Sequence, residues 1–335
     1  MGVTNGVACV TSLQYKPGIC PARVLDHAAR AAGALSFAVV FLLAWPVMSS
    51  ARHFTLRFSC PDRVGIVARV ASFLAEAGGS ILRSSQHSDS ATDRFYMRVE
   101  VDAASLGISL ETLAARFTPI AEALDMDWRV ADSAVKKRIV VLVSRQMHCL
   151  YDLLERWRSG ELDVDIPCII SNHEDARGLV EWHGIAFHHV PVNKDNKDNK
   201  DAAWREIDRL FAAADADTMV LARYMQILPA WLCDAHAGQI LNIHHSFLPS
   251  FVGASPYHQA WERGVKQVGA TCHYVTPELD QGPIIEQDVT RVTHNDAVRD
   301  LVRYGKDIEK AVLARGLRYH LEDRVLISGR RTIVL

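Results

Sequence analysis

Two hydrophobic patterns alternate between residues 53 and 131, one typical of strands and the other of helices. His53–Ser59 changes between polar and apolar at every residue, as a half-buried strand does. Apolar residues recur at spacings of three and four over Ile66–Leu74, which predicts an amphipathic helix that Gly78 and Gly79 end. The pattern then predicts a hairpin, a helix and a strand, namely Ile81–Ser88 with Arg94–Val101, Leu110–Leu124 and Met126–Val130. The order βαββαβ is a ferredoxin-like plan.

The loop after the first of these strands carries the short motif Asp62-Arg63-Val64-Gly65. Asp62 is placed to cap the following helix, where backbone N–H groups can receive a carboxylate. In this position the motif resembles that of ACT domains. The resemblance implies that these four residues bind a small amino acid as an effector, across a dimer of domains. The alternative is that Gly65 only lets strand and helix pack closely, and that the unit serves oligomerisation alone.

A polar segment, residues 133–138, is the predicted linker between this unit, residues 51–132, and a second one over residues 139–335. Ile139–Val143 is continuously apolar, as expected of a strand that is covered on both faces. Helices and strands then alternate over Leu150–Arg158, Ile166–Ile170, Ala176–Trp182, Ala186–Val190, Ala203–Ala214, Thr218–Leu221, Pro229–Ala235 and Gln239–Ile243. This alternation predicts βαβ units in a doubly wound, mostly parallel α/β sheet.

Polar and titratable residues follow several of the predicted parallel strands. They occupy residues 144–148, 171–175, 222–228 and 242–251. Because ligands of such sheets bind beyond the carboxyl ends of the strands, we expect a crevice lined by these segments. The stretch Asn193–Lys200 is different, since it is of low complexity and balanced in charge, and we expect a solvated loop there.

Composition narrows the choice of function. The chain has 335 residues, enough for two domains, and its net charge of −2 gives no field that favours nucleic acid. Its 7 cysteines are scattered without a CxxC pair, which fits buried thiols in a reducing compartment, so we expect a cytoplasmic protein. The sequence has no HExxH motif and no glycine-rich nucleotide fingerprint. We therefore expect no metal, no separate cofactor, and no nucleic-acid or membrane partner.

The first fifty residues do not continue the pattern of the rest. Their apolar run, Ala34–Val47, is short for a bilayer span, and no clean signal-peptidase site follows it. We favour Met48 as the natural start, with residues 1–50 outside the fold. A targeting or membrane-associating segment and an ordered helix are the alternatives. A chain that starts at Met48 should then fold and keep its activity.

The segment Asn242-Ile243-His244 carries the most chemistry. Alternate side chains of a strand share a face, so Asn242 and His244 should project together and His245 should face away. An imidazole suits proton transfer near neutral pH, and a carboxamide N–H can stabilise an oxyanion. On these residues alone, a His244 that only hydrogen-bonds at a strand end remains open. A metal on His244 and His245 is disfavoured, because neighbouring side chains of a strand diverge.

The longer segment Asn242–Phe251 is similar to the NIHxSxLP signature of the folate-dependent formyl-transfer enzymes. Leu279–Ile285 resembles a second segment of that family, and Leu221–Leu228 resembles its folate-binding loop. The resemblance implies catalytic roles for Asn242, His244 and Asp280. It also implies that the folate contacts Met225, Gln226, Ile227, Leu228, Val275 and Leu279.

An ACT-like unit ahead of such a domain resembles the formyltetrahydrofolate deformylases, as do residues 153–167, 171–175 and 181–191. This resemblance implies a hydrolase that acts on a linear amide and converts 10-formyltetrahydrofolate to formate and tetrahydrofolate. It also implies an allosteric homo-oligomer that supplies formate for purine biosynthesis and balances the one-carbon folate pool. Ser255 stands where that family is expected to have lysine, so the substrate tail should lack that lysine's salt bridge.

Two other functions stay open, a formyltransferase that passes the group to an amine and an amino-acid sensor without catalysis. Transferases that act on glycinamide ribonucleotide have a glycine-rich loop after the first strand of this fold, whereas Val143–Leu150 contains no glycine. We expect the side chains from Arg145 to His148 to fill the space of the nucleotide phosphate. We also expect His273 and Tyr274 to pack in a strand rather than react.

Overall fold

The computed structural model describes residues 52–192, 197–250 and 256–335. The first part folds as predicted into a four-stranded antiparallel sheet with two helices. Its elements are β1 (His53–Pro61), α1 (Ile66–Glu76), β2 (Ile81–Asp89), β3 (Arg94–Asp102), α2 (Leu110–Ala123) and β4 (Asp127–Asp132). The strand order is β2-β3-β1-β4, and we call this sheet the ACT sheet.

The two faces of the ACT sheet differ in chemistry. Phe54, Leu56 and Phe58 alternate along β1 and pack with apolar residues of both helices into one core. The intervening residues of β1 are polar and face the other way, and Arg57 stands opposite Arg98 of β3 and Arg129 of β4. Like charges directly opposite each other are unfavourable in a sheet, so this face requires partners that accept hydrogen bonds.

The second part is a doubly wound α/β sheet, as predicted. Its strands are β5 (Ile139–Val143), β6 (Cys168–Ser171), β7 (Ala186–His189), β8 (Thr218–Ala222), β9 (Ile240–His244), β10 (Gln267–Tyr274) and β11 (Ile284–Arg291). They lie in the order β11-β10-β9-β8-β5-β6-β7. The five strands from β7 to β9 in this order are parallel. β10 pairs antiparallel with both of its neighbours, β9 and β11. The order reverses between β5 and β8, where a crevice is expected.

Helices cover both faces of this sheet. They are α3 (His148–Arg158), α4 (Arg177–Trp182), α5 (Lys197–Ala213), α6 (Ala230–Ala235), α7 (Pro256–Glu262) and α8 (Val298–Leu321). A terminal hairpin follows, β12 (Val325–Ser328) with β13 (Arg331–Val334). Beyond residue 243 the sequence analysis expected only a strand at His273 and Tyr274, which β10 confirms, so α7, α8, β11 and the terminal hairpin are new findings. None of the described helices has the length and the apolar character needed to cross a membrane.

Helix α8 is the longest described helix, with 24 residues, and it packs very closely on the second sheet. A Cβ atom on Gly305 would lie 1.9 Å from the hydroxyl oxygen of Tyr257, and one on Gly316 would lie 2.6 Å from the sulfur of Cys272. Real Cβ atoms do not approach other atoms so closely. Both glycines are therefore required by the contact between α8 and its neighbours.

The polar face of the ACT sheet meets the carboxyl end of α8. The guanidinium of Arg98 donates to the backbone oxygen of Glu322, the residue that ends the helix, with a distance of 2.7 Å from Nη2. Arg57 donates to the backbone oxygen of Val325 at 2.6 Å and lies 3.4 Å from the carboxylate of Asp323. These arginines thus supply the cations that the exposed carbonyls of a helix end favour.

Two local predictions were wrong, and several lie outside the described residues. Gly65, not Asp62, caps α1, and no side chain accepts a hydrogen bond there. Helix α5 begins at Lys197, so the end of the predicted solvated loop is helical. The start at Met48, residues 193–196 and Ser255 fall outside the residues that the structure describes.

Candidate active site

A cavity of about 350 Å³ lies at the carboxyl ends of β8 and β9, next to the reversal of strand order. All nine residues that the sequence analysis assigned to catalysis and folate binding line it. They are Met225, Gln226, Ile227, Leu228, Asn242, His244, Val275, Leu279 and Asp280. The segments that carry them come from two parallel strands and from the turn between β10 and β11, and folding brings them together.

His244 and Asp280 face each other in this cavity. The Nδ1 atom of His244 lies 3.3 Å from Oδ1 of Asp280, and the imidazole is buried. The Nε2 atom of His244 is buried and has no hydrogen-bond partner in the described protein. A carboxylate on Nδ1 fixes the orientation of the ring and leaves Nε2 for a reacting group.

Asp280 stays ionised in this setting. Burial by itself raises the pKa of its carboxyl, but the hydrogen bond from His244 and the nearby imidazoles outweigh that effect, so the pKa is lowered. Its backbone has a φ of 56°, in the left-handed region that aspartate tolerates better than most residues. The tight turn after β10 thus directs the carboxylate towards β9.

Asn242 is held by His273, a residue that the sequence analysis placed in a strand and excluded from the chemistry. His273 stands opposite Asn242 in the pairing of β10 with β9, and its Nε2 lies 3.2 Å from Nδ2 of the amide. Burial lowers the pKa of His273, so the ring is neutral and can accept from that amide. Cross-strand pairing was the missing information, since the sequence alone does not reveal register.

His245 does not face away from the site as predicted. Strand β9 ends at His244, so strict alternation stops there, and His245 also lines the cavity. Its ring centre lies 5.3 Å from that of His244. Burial and the nearby Arg223 lower the pKa of His245 to about 4, which keeps its ring neutral near pH 7.

One wall of the cavity is apolar and accessible. Met225, Ile227 and Leu279 are all about half exposed, although they are large apolar residues. Residues 223–228, which we call the cavity loop, are tied to the sheet because the N–H of Met225 donates to the hydroxyl of Ser144 at 3.1 Å. An apolar wall on an anchored loop suits a flat aromatic ligand.

A polar cluster of Gln146, His148, Arg223, Tyr257 and Glu309 adjoins the start of the cavity loop, and Arg223 is the member of it that lines the cavity. The two carboxylate oxygens of Glu309 receive hydrogen bonds from His148 and Tyr257, each at 2.7 Å. Arg223 lies 3.3 Å from the same carboxylate and donates to Gln146 at 2.7 Å. Burial raises the pKa of Glu309, but these partners outweigh it, so the pKa is lowered.

The polar cluster overlaps a group of atoms that could ligate a metal. Ligand atoms of His148, Cys149 and Glu309 lie within 4.8 Å of one another. However, the guanidinium of Arg223 already supplies positive charge to Glu309, and burial raises the pKa of the Cys149 thiol. A thiol that resists deprotonation is a poor ligand, so the cluster fits an ion-pair network better than a metal site.

The prediction about residues 145–148 is only partly matched by the geometry. Gln146 and His148 belong to the polar cluster, whereas Arg145 does not, and both Arg145 and Gln146 are exposed. Arg223 and Glu309, which sequence reasoning missed, fill this side more than Arg145 does. An acidic residue within the apolar stripe of α8 was the available signal, because Glu309 follows Leu301 and Gly305 at helical spacing.

The loop before α1 has a different character. Gly65 adopts a φ of 95°, and a Cβ atom there would meet nothing within 4 Å. The glycine is therefore needed for its backbone angle rather than for close packing of strand and helix. Asp62 accepts a hydrogen bond from Ser88, and the side chain of Val64 is fully exposed.

Comparisons with known proteins agree with this architecture. Residues 137–317 match the family model for Formyl transferase, and residues 54–117 match that for the ACT domain. The formyltetrahydrofolate deformylase of Bacillus subtilis is 47% identical over 83% of this chain and 92% of that protein. The crystal structure of a formyltetrahydrofolate deformylase from Pseudomonas syringae pv. tomato is 57% identical, with a TM-score of 0.84 over 86% of this chain and 96% of that one.

A more distant structure covers a smaller share of this chain. Glycinamide ribonucleotide transformylase 1 from Symbiobacterium toebii is 33% identical, with a TM-score of 0.56 over 60% of this chain and 94% of that one. The same kind of sheet is therefore present in a protein named for a different reaction.

Proposed function

The chain belongs to the formyltetrahydrofolate deformylase family, and we propose that Asn242, His244 and Asp280 carry out its hydrolysis of 10-formyltetrahydrofolate to formate and tetrahydrofolate. The observation that carries this proposal is the contact of His244 Nδ1 with Asp280, which leaves the buried Nε2 unpartnered beside the amide of Asn242. We also propose that the pterin ring lies against the apolar wall of Met225, Ile227 and Leu279.

The reaction then needs only proton transfer and charge stabilisation. Asp280 orients a water molecule and takes a proton from it as the water oxygen bonds to the formyl carbon. The amide N–H of Asn242 and the Nε2–H of a protonated His244 donate to the oxyanion that forms. The carbon–nitrogen bond breaks as the folate nitrogen receives a proton from His244 or through water, and formate leaves. No metal or separate cofactor has a role in this scheme.

The polar cluster supports water as the acceptor of the formyl group. A second substrate with an amine would have to approach the formyl carbon from a side that the apolar wall does not occupy. Arg223, at the start of the cavity loop, and Glu309 behind it are both buried and are paired to each other. Water is small enough to reach the carbon without displacing them.

Release of formate in the absence of any amine tests the reaction. The enzyme is mixed with 10-formyltetrahydrofolate in a buffer without amines, and formate and tetrahydrofolate are measured together. Equal amounts of both products support hydrolysis. Turnover that starts only when an amine is added would identify a transferase, and binding without turnover would identify a sensor.

The ACT part is proposed to bind a small amino acid at residues 62–65 and to regulate the enzyme as a homo-oligomer in the cytoplasm. Support comes from Gly65, whose left-handed backbone opens α1 beside the exposed Val64. Each of the twenty amino acids is tested for calorimetric binding and for a change in rate, where coupling is typically ~5–150-fold. If none has an effect, oligomerisation is the role that remains.

A further inference from the structure

Glu309 lies outside the residues assigned to the chemistry, yet it is almost completely buried beside the active-site cavity. Its exposed fraction is 1%, and that of Arg223 is 4%. A buried carboxylate and a buried guanidinium are each costly alone and tolerable as a pair, so the position of one fixes that of the other. Glu309 therefore determines where the side chain of Arg223 lies.

Arg223 is the first residue of the cavity loop, and its backbone is strained. Its φ is 63°, and the other described non-glycine residues with positive φ are all aspartates. A side chain such as arginine reaches this conformation only at a cost in energy, which its surroundings must offset. The contacts of its guanidinium with Glu309 and Gln146 provide that compensation. The start of the cavity loop thus depends on Glu309.

The position of Glu309 depends in turn on α8. Gly305 and Gly316 lie on either side of Glu309 along the helix, and both allow contacts that no other residue would. A helix packed this closely moves as one body rather than bending locally. Its carboxyl end is held by Arg98 and Arg57 of the ACT sheet, about 20 Å from Glu309 along the axis, since each residue adds ~1.5 Å.

From these contacts we propose that Glu309 is a positioning residue for folate binding, and that the ACT sheet sets its position through α8. The proposal rests on the function above, in which the cavity loop receives the pterin. It assigns a role in the reaction to Arg98, which is far from the cavity. A change at either end of α8 should therefore alter substrate binding more than it alters the rate of the chemical step.

A double-mutant cycle on the full chain tests this coupling. Arg98→Gln, Glu309→Gln and the double variant are compared with the wild type for KM and kcat, measured as formate release from 10-formyltetrahydrofolate. We expect KM to rise about threefold in Arg98→Gln and about tenfold in Glu309→Gln, with kcat changed by less than about threefold. In the double variant we expect KM to rise about tenfold, not about thirtyfold.

The proposal is overturned if the rise in KM of the double variant equals the product of the rises in the two single variants. Residues this far apart without shared partners normally act independently, so a helix that only holds the fold together would give a product of effects. An unchanged KM in Arg98→Gln would overturn it as well. Arg98→Gln also removes an ion pair with Glu100 inside the ACT sheet. The control is therefore Arg52→Gln, which likewise removes an ion pair within the ACT part, with Asp132, but no contact with α8.

Two additions keep the test decisive. Glu309→Gln leaves Arg223 without a buried counter-charge, so Tyr257→Phe replaces it if circular dichroism shows loss of fold. That variant removes one hydrogen bond from Glu309 and leaves no charge unpaired. The same proteins are also titrated with tetrahydrofolate. If the wild type released no formate, the proposed function would fail, while the coupling would still be measured as binding.

Discussion

The apolar wall of the active-site cavity and the polar cluster that adjoins it are built on opposite principles. On one side, Met225, Ile227 and Leu279 present apolar surface to solvent on an anchored loop. Next to that loop, the polar cluster around Glu309 pairs its charges internally, although Nη1 of Arg223 is buried without a hydrogen-bond partner. A ligand that covers exposed apolar surface lowers the free energy of the complex. A ligand that disturbs a buried polar network raises it.

This difference explains why one substrate can be large while the other is water. The apolar wall gains from the burial of an aromatic ring, which a pterin supplies. An amine that entered the polar cluster would have to break the buried pair of Arg223 and Glu309. His244 and Asp280 line the same cavity as the apolar wall and act on the substrate that binds there.

The largest effect on the rate is expected from changes to His244 and Asp280. Asp280→Asn keeps the shape of the side chain but removes its charge, and we expect the rate of formate release to fall at least ~100-fold. His244→Ala should cost as much or more. The double variant should lose less than the product of the two, because the residues act as a unit. Full multiplicative loss would show that they act independently.

A smaller effect is expected from a charge on the apolar wall. Ile227→Asp places a carboxylate where the pterin ring would be buried, and we expect KM to rise about tenfold with little change in kcat, in line with a desolvation cost of ~1–3 kcal/mol. Ile327→Asp is the matched control, because Ile327 is also partly exposed but lies in the terminal hairpin. Equal effects of both variants would mean that the apolar wall is not the folate site.

His245→Ala is expected to have a moderate effect. The strand pattern predicted a negligible one, but His245 lines the cavity beside His244. We expect kcat/KM to fall about fivefold through lost packing, without a new pH dependence between pH 6 and 8, because the lowered pKa of about 4 keeps the ring neutral there. His258→Ala, at an exposed position of α7, serves as the control. A loss as large as that of His244→Ala would make His245 a catalytic residue.

No effect is expected from an added amine substrate. Glycinamide ribonucleotide at millimolar concentration should leave formate release unchanged and yield no formylated nucleotide, because its entry next to the cavity would require breaking the buried pair of Arg223 and Glu309. Both products are measured by chromatography in the same reaction. Formylated nucleotide produced at a rate comparable to that of formate would identify a transferase and show that the polar cluster does not exclude an amine.

The sequence predicted the residues of the apolar wall far better than those of the polar cluster. Met225–Leu228 and Asn242–His244 lie on short contiguous segments, and their roles were implied by the resemblance of these segments to the folate-dependent formyl-transfer enzymes. The βαββαβ order of the ACT sheet was predicted from the hydrophobic pattern. Both features depend on spacing within a few residues, which the chain displays directly.

The polar cluster could not be predicted in the same way. Glu309 is 161 residues from His148 along the chain, and their contact depends on how α8 packs. His273 joins Asn242 only through the register of an antiparallel pair, and the sequence analysis, which placed His273 in a strand, assigned that strand no partner. Long-range packing and register follow from the whole fold, so a single sequence gives them only through weak signals such as an acid in an apolar stripe.

The polar face of the ACT sheet has one more consequence. Apolar contacts tolerate sliding, because their energy depends on buried area and hardly on angle, whereas a hydrogen bond weakens steeply as its geometry departs from linear. Arg98, Arg57 and Tyr96 all contact the end of α8 or the terminal hairpin by hydrogen bonds. A rotation of the ACT sheet by a few degrees would therefore lengthen these bonds together rather than exchange them for similar ones. The hydrogen bonds therefore favour one orientation of the ACT sheet relative to α8 and the terminal hairpin over small rotations away from it.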